Sequence, residues 1–260
     1  MCLIVIEMKS VILLKQIFLG VAKNKCIVEP AISAQNKKLK QIWNNENYKD
    51  YGVERIIRLL CMLSSYLFPT LYLRDIAGRL GGWYGRKLCL DVYTILNLVF
   101  PLLILGCGWY DSSIIVFICT YLSIATISYL INLVTLAPEF SQPSSYLRSI
   151  ICLGINFIQI VACFAVLYLF LGVESFRVPE DVNFDAIRAF YFSLVTATTI
   201  GYGDITPLSN MAVGLTITQI CISLIFFYVV LAKFVSHIEE RTYANSATTN
   251  QSSSNRHKSR

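Results

Sequence analysis

Between Lys87 and Arg148 the chain carries no lysine or arginine, and residues 113–137, 149–172 and 205–232 carry no charge at all. Runs of this kind constrain the fold more than any other feature. In hydrocarbon every backbone N–H and C=O must find its partner inside the chain, which leaves helices and closed barrels as the only spanning structures. Residues 92–109, 113–137, 149–172 and the run ending at Ala232 are each read as a membrane-spanning helix. The first barely reaches the length of about 20 residues that a span needs unless Leu88 to Leu90 are added. A short Tyr110-Asp111-Ser112 turn folds the first two into an antiparallel hairpin. Composition agrees, since 15% charged residues and a mean hydropathy of +0.59 lie far from the charged fraction of about 25% in soluble domains. The expected fold class is an all-α membrane protein with four transmembrane helices, or five or six if residues 59–73 and 1–22 also cross.

Between the last two runs stands Thr196-Ala197-Thr198-Thr199-Ile200-Gly201-Tyr202-Gly203-Asp204. A cation stripped of water needs several oxygens at once, so successive carbonyls must face one axis. L-residues in ordinary helix or strand geometry cannot arrange that. Gly201 and Gly203 can, because positive φ brings no Cβ clash and lets alternate peptide units turn the same way. Ile200, stiff at its branched Cβ, and Tyr202, with its large ring, then point outward and wedge the loop, and Thr199 adds a hydroxyl at the inner end. Residues 186–196 just before this loop would form a helix about 16 Å long, which is re-entrant rather than spanning. Asn183 or Asp185 can cap its start. Its negative dipole end would face the path of the ion.

Thr199-Ile200-Gly201-Tyr202-Gly203 resembles the selectivity filter of the potassium-channel pore-domain family, where four loops point backbone carbonyls inward and replace the hydration shell of the ion. The resemblance extends to the short helix before the loop, Asp204 after it and one spanning helix on each side, and covers residues 149 to about 240. It implies ion-binding oxygens on Thr199, Ile200, Gly201 and Tyr202, with Gly203 completing the filter. Thr198, Asp204, Tyr191 and Phe192 would support the filter and its outer mouth. It also implies a homotetramer around one conduit, since the chain has one copy of the motif, with K+ as permeant ion and no cofactor.

Three departures bear on mechanism. Val195 stands where some relatives have a Glu that pairs with the Asp after the filter, so Asp204 is expected to lack that partner. The inner helix has Gly214 only in its first turns and Ser223 near its middle, so no central glycine hinge is evident. Voltage-gated relatives carry arginines at three-residue intervals, each worth about 2.3 kcal/mol per 100 mV when it crosses the field. The stretch between Lys87 and Arg148 has no Lys or Arg at all, so no voltage sensor is recognisable.

Charge also orients the chain. The first 55 residues hold nine Lys or Arg against five Asp or Glu, which favours the cytoplasmic side. With the filter mouth outside, the glycine-rich segment 74–87, holding Arg74, Arg79, Arg86 and Lys87, reads as an inside loop. The C-terminus is then cytoplasmic, and the protein is multi-pass in a cell membrane, plasma or bacterial inner. Glu174, Glu180, Asp181 and Asp185 would ring the outer mouth and raise the local cation concentration. The layout expected is a basic N-terminal segment with an amphipathic or marginal membrane helix (1–55), N-terminal membrane helices (56–137), the pore domain (138–240) and a disordered polar tail (241–260).

Nine scattered cysteines, without a Cys-x-x-Cys pair, look like small apolar fillers, and two distant histidines make no metal site. No nucleophile, base pair or metal cluster supports an enzyme. The basic N-terminal segment reads as juxtamembrane rather than nucleic-acid-binding. The function expected is passive, potassium-selective conduction across the lipid bilayer. Competing readings are a less selective cation channel, a silent or regulatory channel subunit, and a transporter subunit, the last disfavoured because such chains carry several degenerate loops.

Overall fold

The computed structural model describes residues 29–44, 52–135, 146–179 and 183–258. The expected surface helix at 1–22, the connection near Pro138 and Pro143, and Glu180 and Asp181 at the outer mouth lie outside the described residues. The chain divides into two compact units, residues 1–96 and 97–260. Helices make up nearly all of the described structure, and four of them are long and apolar enough to cross a membrane: Gly85–Cys107, Ser113–Asn132, Leu147–Leu171 and Asn210–Ala232. The protein is a multi-pass membrane protein of the all-α class.

In the first unit, α1 (Ala31–Asn44) and α2 (Gly52–Ser64) precede the start of α3 (Pro69–Cys107). Pro69 opens α3, where its missing N–H costs nothing. The α2 helix and the Pro69–Gly82 part of α3 meet at 61°, as a broken span or a re-entrant pair would. Val53, Ile56, Leu60 and Leu63 form one exposed apolar face of α2, as suits a helix lying against lipid. The buried Asp75 accepts the Ile32 backbone N–H at 3.2 Å, capping the first turn of α1 from another element, and pairs with Arg79 at 2.7 Å.

Residues 74–87, expected as a loop, are helical in the structure except at Gly82, whose φ of 60° and ψ of −145° break α3. The glycines that suggested a loop serve a kink instead. A Cβ on Gly85 would sit 2.6 Å from the Ala77 carbonyl oxygen, so the two arms of the kink approach backbone to side-chain-free backbone. The Arg86 guanidinium folds back over Gly78 and donates to the Arg74 carbonyl at 3.1 Å.

In the second unit, α4 (Ser113–Thr135), α5 (Tyr146–Leu171), the short α6 (Ala186–Ala197) and α7 (Asn210–Lys258) pack around α5. The α5 helix is apolar all round and is the most enclosed of the four spans, as a helix surrounded by others requires. One cluster joins Leu153, Phe164 and Tyr168 of α5 to Phe192 of α6 and Phe226 and Val229 of α7. A second joins Cys119 of α4 to Cys163 and Val166 of α5 and to Ile104. The cysteines there are fillers, as expected of them.

The α7 helix is continuous to Lys258, where the sequence reading has a disordered tail from residue 241. Ser, Thr and Asn are poor nucleators, but extending an existing helix needs only one further bond per residue fixed.

Replacing Gly85 by Ala is expected to lower thermal stability by about 1–3 kcal/mol through overpacking against the Ala77 carbonyl. Gly81→Ala, with nothing within 4 Å of its added methyl, is expected to leave stability unchanged or raise it by about 0.5–1 kcal/mol.

Candidate ion-conduction site

The site begins with a short helix that cannot cross the membrane. Asp185 caps α6, its carboxylate accepting the Arg188 N–H at 2.9 Å while its own backbone stays extended. The other candidate cap, Asn183, is not used in this way. At the far end, Thr198 closes the helix: its N–H reaches the Leu194 carbonyl at 2.9 Å, and its hydroxyl donates to the same oxygen at 2.7 Å. The Thr199 and Ile200 N–H groups return to the carbonyls of Thr196 and Val195 at 3.1 and 3.0 Å. The helix therefore runs into the loop without a flexible joint.

Along the loop, positive φ recurs at every second residue: Thr199 at 59°, Gly201 at 60° and Gly203 at 79°. Alternation of left- and right-handed residues is what lets neighbouring carbonyls share a side, as the sequence reading requires of the two glycines. Thr199 is the one non-glycine among the described residues with positive φ, an outlying conformation for a β-branched residue that costs about 1–2 kcal/mol. Its hydroxyl donates to the Thr198 carbonyl at 2.7 Å. Residues 199–204 are exposed, Ile200 at 55% and Tyr202 at 69%.

The far end of the loop is held by an element that sequence reasoning missed. β1 (Phe176–Arg177) pairs antiparallel with β2 (Thr206–Pro207), and the Leu208 N–H reaches the Ser175 carbonyl at 2.8 Å. This ties the strand before α6 to the chain just after Asp204. The buried Phe176 stacks on Phe184 at 5.0 Å and meets Phe192 edge-on at 5.5 Å. Two-residue strands carry no readable period, so the aromatic side chains were the available signal.

The expected supporting pair divides. The Tyr191 ring lies parallel to Tyr202 at 6.5 Å between centroids. The Asp204 carboxylate beside the phenol pushes its pKa up from its ordinary value. Val195 is buried, and Tyr191, one turn earlier on α6, is the residue whose titration the Asp204 carboxylate affects. Phe192 points away from the loop into the core, 4.9 Å from Tyr168.

A polar set absent from the sequence reading lies behind the loop. Tyr168, Ser193 and Gln219, all fully buried, are hydrogen-bonded to one another across α5, α6 and α7.

The site thus consists of a short apolar helix, a loop of alternating φ and a membrane-length helix on either side. Residues 116–240 match the model of a family described as "Ion channel". Among similar proteins are two-pore potassium channel 4 of Arabidopsis thaliana, 31% identical over 105 residues, and two-pore potassium channel 5 of the same plant, 32% identical over 112 residues. These alignments cover 39% and 41% of this chain, and 36% and 26% of the relatives. Probable potassium channel protein 2 of Methanocaldococcus jannaschii is 29% identical over 79 residues, 29% of this chain and 22% of that protein. The chain thus spans about a third or less of the length of the curated relatives it matches. No solved structure matches.

Removing the Asp185 carboxylate by Asp185→Ala is expected to cost about 1 kcal/mol of stability, read as a lower midpoint in thermal unfolding of the purified protein in detergent.

Proposed function

We propose that this chain is the subunit of a potassium-selective channel, conducting K+ passively through a pore built from four copies. The observation that carries the reading is the alternating backbone of Thr199 to Gly203 at the end of a capped re-entrant helix. In this reading the carbonyls of Thr199, Ile200, Gly201 and Tyr202 and the Thr199 hydroxyl replace the water of K+, with Gly203 completing the turn. Thr198, Tyr191 and Asp204 hold the inner and outer ends of the filter, and Phe192 anchors α6 from behind. No cofactor takes part.

Two features support a homotetramer. Ile200 and Tyr202 are large apolar-bodied side chains left exposed in one chain, where a neighbouring copy would cover them. Ile217, Leu224 and Leu231 recur at seven-residue spacing as an exposed stripe of α7, the pattern of a helix that meets another helix. The exposed Glu174 and Asp185 supply negative charge near the outer mouth, and positive-inside bias puts the C-terminus in the cytoplasm of a cell whose plasma or inner membrane holds the channel. Among the described residues no span carries arginines at three-residue intervals, so in this reading voltage acts on no Arg-rich sensor helix.

The test is K+ flux from liposomes holding the purified chain, with reversal potentials in mixed potassium and sodium. Wild type is expected to carry current reversing at the potassium potential. Gly201→Ala, which forces a Cβ onto φ of 60°, is expected to reduce flux by about 100-fold or more while the tetramer survives. A reversal potential that tracks sodium would leave a less selective cation channel, and a monomeric or dimeric particle would overturn the fourfold pore.

A further inference from the structure

We infer that Gln219 is a positioning residue through which the inner helix α7 sets the state of the filter; the inference rests on the channel reading above. The Gln219 side chain is completely buried and uses both ends of its amide. Its Oε1 accepts the Tyr168 hydroxyl of α5 at 2.6 Å. Its Nε2 donates to the Ser193 backbone carbonyl at 2.9 Å and to the Ser193 hydroxyl at 2.8 Å, both on α6. Ser193 Oγ in turn donates to the Val161 carbonyl of α5 at 2.7 Å. Three hydrogen bonds thus tie Gln219 of α7 to both α5 and α6, and a fourth, from Ser193, ties α6 to α5.

The placement of Ser193 makes this more than glue. Ser193 lies one turn before Ala197, the last residue of α6, and the Thr199 and Ile200 N–H groups that begin the loop bond to carbonyls of Thr196 and Val195 on that same turn. A shift of α7 at Gln219 therefore reaches the left-handed Thr199 through one rigid turn of helix. In hydrocarbon the amide has no water to fall back on, so α7 cannot rotate away from α6 without leaving a buried donor and acceptor unpaired. The contact favours two discrete arrangements rather than a continuum. One turn further along α7, Ser223 buries a hydroxyl with no hydrogen-bond partner among the described residues, a position where the helix gains a backbone hydrogen bond if it bends. Without a central glycine, α7 has at this point a polar joint and, directly above it, a polar link to the filter.

The full-length chain in planar bilayers supplies the test, with assembly checked by particle mass. Gln219→Leu keeps the volume and removes both ends of the amide; Tyr168→Phe removes one oxygen and leaves the fold its best chance. The expected result is an assembled tetramer with unit conductance unchanged, open lifetime shortened by about three- to tenfold for Gln219→Leu and less for Tyr168→Phe, and a defect that grows as external potassium is lowered. That potassium dependence is the readout which simple loss of packing does not produce. Unchanged open lifetime and potassium dependence in Tyr168→Phe and in whichever variants assemble, beside a conducting wild type, overturn the inference alone. A wild type without current overturns the channel reading first.

Discussion

A backbone carbonyl in hydrocarbon must have a partner, and the second unit of this protein is organised by that requirement. Its spanning helices meet it internally. The loop from Thr199 to Gly203 cannot, because alternating φ turns its carbonyls away from any helical or sheet neighbour. Such backbone is tolerated at membrane depth only where it is enclosed by protein or faces a water-filled path. In the proposed function, the ion is the partner that these carbonyls lack. The same requirement explains why the loop is anchored at both ends, at Thr198 by the closing turn of α6 and after Asp204 by the β1–β2 pair. A loop free to relax would bond to itself.

Holding an outlying residue such as Thr199 requires surroundings that overdetermine it. Two kinds of interaction do so. Aromatic packing of Tyr168, Phe176 and Phe192 fixes α6 against α5 over a broad apolar face. Dispersion of this kind fixes distance but tolerates small sliding. The hydrogen bonds of Gln219 and Ser193 tolerate little, since their geometry weakens steeply with angle. Apolar contacts hold α6 in place, and the polar ones hold its register.

The first unit uses polar groups differently. Asp75 satisfies the start of α1, and the kink at Gly82 lets the Gly85 backbone approach the Ala77 carbonyl. Glycine composition alone cannot separate a loop from a close helical kink. Both need a residue without Cβ, and only the three-dimensional neighbour tells which need is being met.

The approximate positions of the four spans were readable from the chain, because long hydrophobic runs satisfy their backbone in lipid as helices. The sequence alone leaves open whether further segments cross, and the first span starts at Gly85, earlier than residue 92. The alternating backbone of residues 199–203 was readable as well, since two glycines spaced by an aromatic residue permit a conformation that other residues disfavour. Tyr191 and Phe192 were equally readable as aromatic supports, yet adjacent positions on a helix point about 100° apart, and only the packed structure decided that one faces Tyr202 and the other the core. The partnership of Tyr168, Ser193 and Gln219 was invisible in the sequence: three common polar residues, separated by 25 and 26 positions, have no spacing that marks them. Local patterns record what one segment needs for itself. Which buried donor meets which acceptor depends on how separate helices cross, and that is decided only when the chain has folded.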